Sequence, residues 1–286
     1  MRLYLPIAIV ATGVFVAAQQ LPSEPPRGFG ASITGAYEGW YDNPDGSHNF
    51  LVGYLNRNRA QELDIPVGPD NRIEPGGPDM GQPTHFLPGR RHGMFTITVS
   101  KEFTADQRLT WTIVANGQTT AIPLRLNQDY VVSPFTDVAV KNTPPVIRFE
   151  QNGPRTQGPI AMLSKAIMRT ASISAPLALD VFADDDAKYA SGTMAVPLKP
   201  PPPVELLWSK YRGPGAVTFD KAGPAFETIA GGAVNVPYSG KATTTAKFSE
   251  PGDYVLHVTV MDYSGEGGGG EVCCWTTAMV KVSVTR

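Results

Sequence analysis

Apolar and polar side chains alternate along several short segments of the chain, with the period of two that is typical of half-buried β-strands. In residues 94–99 (MFTITV), Phe95, Ile97 and Val99 share one face and two threonines share the other. Residues 254–262 alternate in the same way. Since no segment of the first half carries an apolar stripe at helical spacing, the pattern predicts an all-β fold.

Turn sequences that favour hairpins join two pairs of these segments. Residues 37–41 and 48–56 flank residues 43–46 (NPDG), where proline presets φ and glycine accepts a positive φ. Residues 109–114 and 119–124 flank an Asn-Gly pair, the strongest short signal for a hairpin. Both sites are therefore predicted hairpins.

The second half has the rhythm of a Greek-key sandwich. Its predicted strands are residues 176–183, 204–209, 242–248, 254–262 and 272–284. Two stretches do not follow the strand period. Residues 161–169 (AMLSKAIMR) fit either two helical turns or a long loop, and residues 68–83 form a long loop of the functional or disordered kind.

A proline pair divides the chain. Residues 142–145 (NTPP) form the predicted domain boundary, because prolines cannot continue a β-ladder and they stiffen a linker. We therefore expect two β-sandwich domains of immunoglobulin-like type, at residues 36–141 and 142–286. A flexible leader at residues 19–35 precedes them.

The first eighteen residues are typical of a signal peptide. Arg2 precedes an apolar run at residues 3–16, and Val16 and Ala18 place small residues at a cleavage site before Gln19. The alternative is an uncleaved N-terminal anchor. We expect an exported protein, periplasmic, extracellular or at the cell surface, with no membrane span after processing. The net charge of −2 argues against a nucleic-acid partner, which needs a basic face.

Four motifs of the second half resemble bacterial PKD-type repeats, which are immunoglobulin-like modules. They are residues 182–186 (FADDD), 207–219 (LWSKYRGPGAVTF), 243–256 (TTTAKFSEPGDYVL) and 258–262 (VTVMD). The resemblance covers residues 176–284 and implies a sandwich fold, but its members include adhesion, spacer and substrate-binding modules alike.

Residues 36–135 are similar to a domain of uncharacterised exported proteins from soil bacteria, which implies a β fold and no particular activity. In the second domain, Trp208 stands where an immunoglobulin-like sandwich has its core tryptophan. Tyr254 follows Pro-Gly-Asp at a strand start, the position of a tyrosine corner. The inter-sheet cysteine pair of antibody domains is missing, since Leu256 stands at the position of the second cysteine.

Cys273 and Cys274 are the only cysteines and they are adjacent. In an exported chain such thiols usually oxidise, and the glycines at residues 267–270 allow unusual backbone beside them. The pair either closes a vicinal disulfide, remains as free thiols or links to another chain. In a regular strand the two side chains would lie on opposite faces and could not bond.

Two further groups of side chains are candidate sites. Asp184, Asp185 and Asp186 end one predicted strand and Asp262 ends another, so their carboxylates are candidate ligands for Ca²⁺, which prefers oxygen. Solvated acidic turns are the alternative, and no other cofactor is expected.

Trp40, Tyr41 and Tyr54 surround the first predicted hairpin and could stack on sugar rings. Strand alternation requires at least one of Trp40 and Tyr41 to point into the core, so core packing is the default interpretation and sugar stacking the alternative.

The sequence contains no nucleophile elbow and no triad-like grouping, so we do not expect an enzyme. The first hypothesis is a structural, spacer or adhesion protein of the bacterial envelope or exterior, with envelope proteins or glycans as partners. The alternative is a carbohydrate- or peptide-binding module that uses residues 68–83 and the nearby aromatic side chains. A hydrolase is a remote alternative.

Overall fold

Strands build the fold of the described residues, and no α-helix occurs among them. The computed structural model describes residue 25 and residues 27–137, 140–189, 199–263 and 273–286. The predicted signal peptide at residues 1–18 lies outside these ranges. Within them, no helix has the length and apolar character that crossing a membrane requires. The predicted all-β fold is confirmed.

The first half forms three small sheets, whose strand orders are β1-β2-β6, β4-β7-β8 and β3-β5. The strands are β1 (Ile33–Asp42), β2 (His48–Asn56), β3 (Leu63–Asp64), β4 (Asn71–Glu74), β5 (His85–Phe86), β6 (Gly89–Val99), β7 (Leu109–Ala115) and β8 (Gln118–Leu124). Their inward faces share one core, in which Phe95 meets Trp111 edge-on at 5.4 Å between ring centroids.

Both predicted hairpins are present. Asp42 pairs with His48 across the first turn, and Ala115 pairs with Gln118 across the second. Asn116 has φ of 50° and Gly117 has φ of 73°. A two-residue turn with both residues at positive φ matches the twist of the two strands, which explains the Asn-Gly pair.

The second half forms two larger sheets, with orders β10-β9-β12-β16-β14 and β11-β18-β17-β13; β15 also pairs with β16. The strands are β9 (Val146–Arg148), β10 (Thr156–Gln157), β11 (Ile167–Ser172), β12 (Leu177–Asp185), β13 (Glu205–Arg212), β14 (Val217–Phe219), β15 (Glu227–Ala230), β16 (Tyr238–Phe248), β17 (Gly252–Met261) and β18 (Trp275–Thr285). Residues 161–169 form a 3₁₀ turn (Leu163–Lys165) and the start of β11.

Side chains from both of these sheets form one hydrophobic core, the arrangement of a β-sandwich. Trp208 is buried in it and stacks on Phe219, as its sequence position predicts. The Tyr254 hydroxyl donates to the Glu250 carbonyl (2.8 Å) and accepts from the Gly215 amide (3.1 Å). The predicted tyrosine corner is therefore present.

The outer face of the sheet containing β13, β17 and β18 packs against the first half. Tyr211, Val255 and Met279 from this face, with Ala161, are buried in the same core as the first-half side chains. Strand β17 is thus buried on both faces for most of its length. We call this contact the interface.

Hydrogen bonds reinforce the interface. Tyr211 donates from its hydroxyl to the Gly81 carbonyl (2.6 Å) and accepts at its backbone carbonyl from the Thr84 amide (3.1 Å). Arg212 binds both carboxylate oxygens of Asp79, at 2.9 and 2.8 Å. The proposed boundary at residues 142–145 therefore lies between two halves that are joined by a buried contact as well as by the linker.

Candidate functional site

Four chain segments meet at the linker end of the second sandwich. They are the linker at Asn142, the end of β12 at Asp185, the end of β17 at Asp262 and the residues Cys273 and Cys274 before β18. The Asn142 amide nitrogen donates to Asp262 Oδ2 at 2.6 Å, and the Asp262 amide donates to the Cys274 carbonyl at 3.4 Å. We call these five residues the linker cluster.

The two cysteines form a vicinal disulfide in the structure. Both side chains are buried, and both sulfurs lie near the Asn142 carbonyl oxygen, at 3.9 Å for Cys273 and 3.5 Å for Cys274. Strand β18 begins only at Trp275, so the pair precedes the regular ladder. Strand alternation therefore does not separate the two side chains here.

The structure brings together two of the four aspartates that the sequence suggests as Ca²⁺ ligands. Asp185 and Asp262 are both buried, at 7% exposure each. Asp184 points to the other face of β12, where its Oδ2 accepts from Arg148 at 2.8 Å. Asp186 forms an ion pair with Lys188 at 3.1 Å.

Two oxygens of the linker cluster are buried without a hydrogen-bond partner in the structure: Oδ1 of Asp185 and Oδ1 of Asn142. Asp185 uses its other oxygen to accept from the Ala187 amide at 2.7 Å. Burial, and then the charge of Asp262, raise the pKa of Asp185 to about 8. A buried carboxyl pair of this kind favours a proton or a cation between its members.

In the described parts of the chain, no three side chains of the His, Cys, Asp and Glu types converge as metal ligands. The third oxygen-bearing side chain of the linker cluster is the amide of Asn142, which is fully buried. A set of two carboxylates and one amide carbonyl suits hard cations that prefer oxygen. Asparagine was not among the residues that the sequence singled out as ligands.

The three aromatic residues suggested for sugar stacking are core residues. Trp40 and Tyr41 are each 6% exposed and Tyr54 is fully buried. The Tyr54 hydroxyl accepts from the Leu87 amide at 2.9 Å. Rings this enclosed offer no face to a sugar, so the expectation of a stacking surface at these residues is wrong.

Trp40 and Tyr41 instead support a neighbouring segment that crosses over β1. Trp40 donates from its indole nitrogen to the Asn127 carbonyl at 2.8 Å, and the ring of Tyr41 meets Phe135 edge-on at 5.3 Å. This segment covers the second face of β1. It explains why two adjacent strand residues are both buried.

The covering segment carries exposed aromatic rings that no sequence pattern marks as a site. Tyr130 is 48% exposed and lies 5.6 Å from the partly buried ring of Tyr37, at 32° between the ring planes. Phe135 is 39% exposed. We call Tyr37 and Tyr130, whose rings lie against each other, the aromatic strip. Because they lie far apart in the sequence, no local pattern connects them.

The long loop at residues 68–83 is ordered by internal contacts and by the interface. Asn71 on β4 donates to the carbonyls of Ile65 (2.9 Å) and Pro83 (2.7 Å) and accepts from the indole of Trp111 (3.0 Å). Beside this loop, a groove of about 400 Å³ opens between the halves, with Met80 and Leu163 among its lining residues.

No protein-family profile and no curated protein sequence matches the chain. One solved structure with a weak similarity is a titin fragment, described as "Anomalous substructure of Titin-A168169". It is 11% identical, with 88% of this chain and 99% of that chain covered, and the TM-score is 0.19. A similarity at that score carries no argument about fold or function.

Proposed function

We propose that the chain is an exported, non-catalytic protein that acts as a rigid spacer or adhesion module at the bacterial envelope or exterior. On this proposal it has two immunoglobulin-like domains, at residues 36–141 and 142–286, of which the second is PKD-like. The PKD-type motifs, the core position of Trp208 and the tyrosine corner of Tyr254 support this type of sandwich.

The interface is the observation that favours a spacer. Two domains joined by a linker alone move independently, whereas a shared apolar core and a two-pronged Arg212–Asp79 pair restrict that motion. A fixed angle between the halves suits a protein that holds other components at a set distance.

Expression of the full chain in a bacterial host tests the proposal. The exported fraction should contain a chain that begins near Gln19 and that sediments with isolated cell envelopes. Leu5→Arg places a charge in the predicted apolar run and should block export, whereas Leu21→Arg, beyond the predicted cleavage site, should not. An intact Met1 in the cytosol contradicts the proposal, as does turnover of a glycan or peptide substrate by the processed chain.

The aromatic strip favours a second candidate function, carbohydrate binding. Exposed rings at a sandwich surface stack on the apolar faces of sugars, and the neighbouring Asn127, Gln128 and Asp129 carry groups that bond to hydroxyls. This candidate moves the sugar-binding surface from Trp40, Tyr41 and Tyr54 to rings that solvent reaches.

A glycan array with the processed chain tests this second function. Tyr130→Ala should abolish any specific signal. Phe29→Ala should not, because Phe29 lies outside the strip although it is more exposed to solvent (68%) than Tyr130 (48%). Loss of the signal in both variants, or in neither, excludes the strip as the binding surface.

A further inference from the structure

The linker cluster concentrates negative charge and unsatisfied oxygens in a buried space. Asp262 lies close enough to Asp185 for its charge to add to the effect of burial in raising the pKa of Asp185, and both side chains are more than nine-tenths buried. The nearby cation, Lys188, directs its ammonium group to Asp186 and to the backbone carbonyl of Lys141. It therefore does not serve as the direct partner of Asp185 Oδ1.

The two oxygens without partners provide a second, independent indication. Buried polar atoms in native proteins almost always have a partner, and an exception calls for an explanation such as a bound ion. Asp185 Oδ1 and Asn142 Oδ1 belong to side chains that are 7% and 0% exposed. The Asn142 amide head is held in the cluster by its bond to Asp262, so its free oxygen lies there too.

We propose that Asn142, Asp185 and Asp262 bind a calcium ion at the junction of the linker and the second sandwich. Backbone carbonyls or water complete the coordination, since Ca²⁺ takes 6–8 oxygens in flexible geometry. Mg²⁺ fits less well, because it demands near-octahedral ligands and gives up its water reluctantly. Zn²⁺ prefers nitrogen and thiolate, and the two neighbouring sulfurs are bonded to each other.

The ligands come from three separate segments, so the ion would connect them. Asn142 belongs to the linker, Asp185 ends β12 and Asp262 follows β17. Binding would hold the linker against the end of the sandwich and restrict the angle at which the first half leaves it. The site stands on its own ligands, whichever of the spacer and sugar-binding proposals holds.

Isothermal titration of Ca²⁺ into the chelator-treated processed chain tests the site directly. We expect saturable binding with Kd of about 0.1–1 mM, the range of extracellular modules, and a melting temperature that rises with Ca²⁺ concentration. Terbium provides a second signal, because excitation of the nearby Tyr263 should sensitise a bound Tb³⁺ ion. Burial, and then the charge of the nearby Asp185, raise the pKa of the Tyr263 phenol.

Matched variants distinguish binding at this site from nonspecific attraction of Ca²⁺ to acidic residues. Asp185→Asn and Asp262→Asn should each weaken Ca²⁺ binding at least about tenfold and remove the terbium signal. Asp184→Asn and Asp186→Asn remove the same charge from adjacent positions, where the carboxylates pair with Arg148 and Lys188. These two control variants should bind Ca²⁺ with a Kd within about twofold of the wild-type value. Near-ultraviolet circular dichroism in chelator identifies any variant that has lost its fold.

Three outcomes overturn the site. The first is a wild-type chain with no binding heat, no terbium signal and no change in melting temperature at about 10 mM Ca²⁺. The second is equal weakening by Asp184→Asn and Asp185→Asn, which would place the ion elsewhere on the acidic strand end. The third is unchanged binding in a folded Asp262→Asn variant.

Discussion

His257 should make the protein sensitive to acid, because it lies buried and neutral in the interface. Its ring stacks on Tyr211 at 5.7 Å between centroids, and its Nε2 is buried without a hydrogen-bond partner in the structure. Burial lowers the pKa of His257 to about 4, and the positive charge of Arg91 contributes further; a backbone hydrogen bond with Met94 acts in the opposite direction.

The sign of the effect follows from proton binding in the two states. An unfolded histidine takes up a proton below its ordinary pKa of about 6.5, whereas folded His257 does so only near 4. The unfolded state therefore binds more protons between these values, and folding stability falls as the pH falls through this window. The difference between these two pKa values corresponds to about 3 kcal/mol, which is reached in full only below the folded pKa of about 4.

Asp185 acts in the opposite direction, since its folded pKa of about 8 lies above the ordinary 3.8. Its contribution to stability is present below pH 3.8 and is lost as the pH rises to 8. The pH-dependent contribution of His257 must therefore be measured as the difference in unfolding free energy between the wild type and a variant that lacks this histidine. Urea unfolding of the wild type and of His257→Gln at pH 7 and pH 5 provides it.

On going from pH 7 to pH 5, the wild type should lose about 2 kcal/mol of unfolding free energy relative to His257→Gln. His92→Gln should also lose less unfolding free energy than the wild type on going from pH 7 to pH 5, because burial, and then the charge of Arg90, lower the pKa of His92 to about 4. Parallel pH profiles for the wild type and His257→Gln would refute the argument. They would mean that His257 finds a partner for its proton or that the interface opens at low cost.

Three further changes test the packing. Trp208→Ala should destabilise the protein by about 3–5 kcal/mol in urea unfolding, and Trp208→Phe by less than half of that, because the buried indole nitrogen has no partner to lose. Arg212→Ala should cost about 1–2 kcal/mol, since its partner Asp79 is half exposed. Thiol titration of the exported protein should find no free thiol. Replacing Cys273 and Cys274 by alanine should change the melting temperature little, because a disulfide between neighbouring residues closes almost no loop. Two reactive thiols, or a covalent dimer, would contradict the vicinal disulfide.

The sequence could predict features that depend on short-range chemistry. The Asn-Gly turn needs two residues at positive φ, and Asn116 and Gly117 provide them. Tyr254 forms its corner with Glu250, four residues earlier. Trp208 lies in a strand whose alternation places it inside.

Features that depend on distant segments could not be predicted. Alternation gives one inward face to a strand, but it does not show that residues 127–135 cover the other face of β1 and bury Trp40 as well as Tyr41. Likewise, a run of three aspartates does not show which of them pairs with a positively charged side chain from a distant segment. Asp184 finds Arg148, thirty-six residues away in sequence, and only Asp185 turns inward.

Scanning calorimetry of the processed chain tests the central claim, that a buried interface joins the two halves into one rigid unit. We predict one cooperative transition with equal calorimetric and van't Hoff enthalpies. Arg212→Ala should move this whole transition to a lower temperature. Two resolved transitions in the wild type, neither of them shifted by Arg212→Ala, would show that the halves unfold independently and would contradict the account.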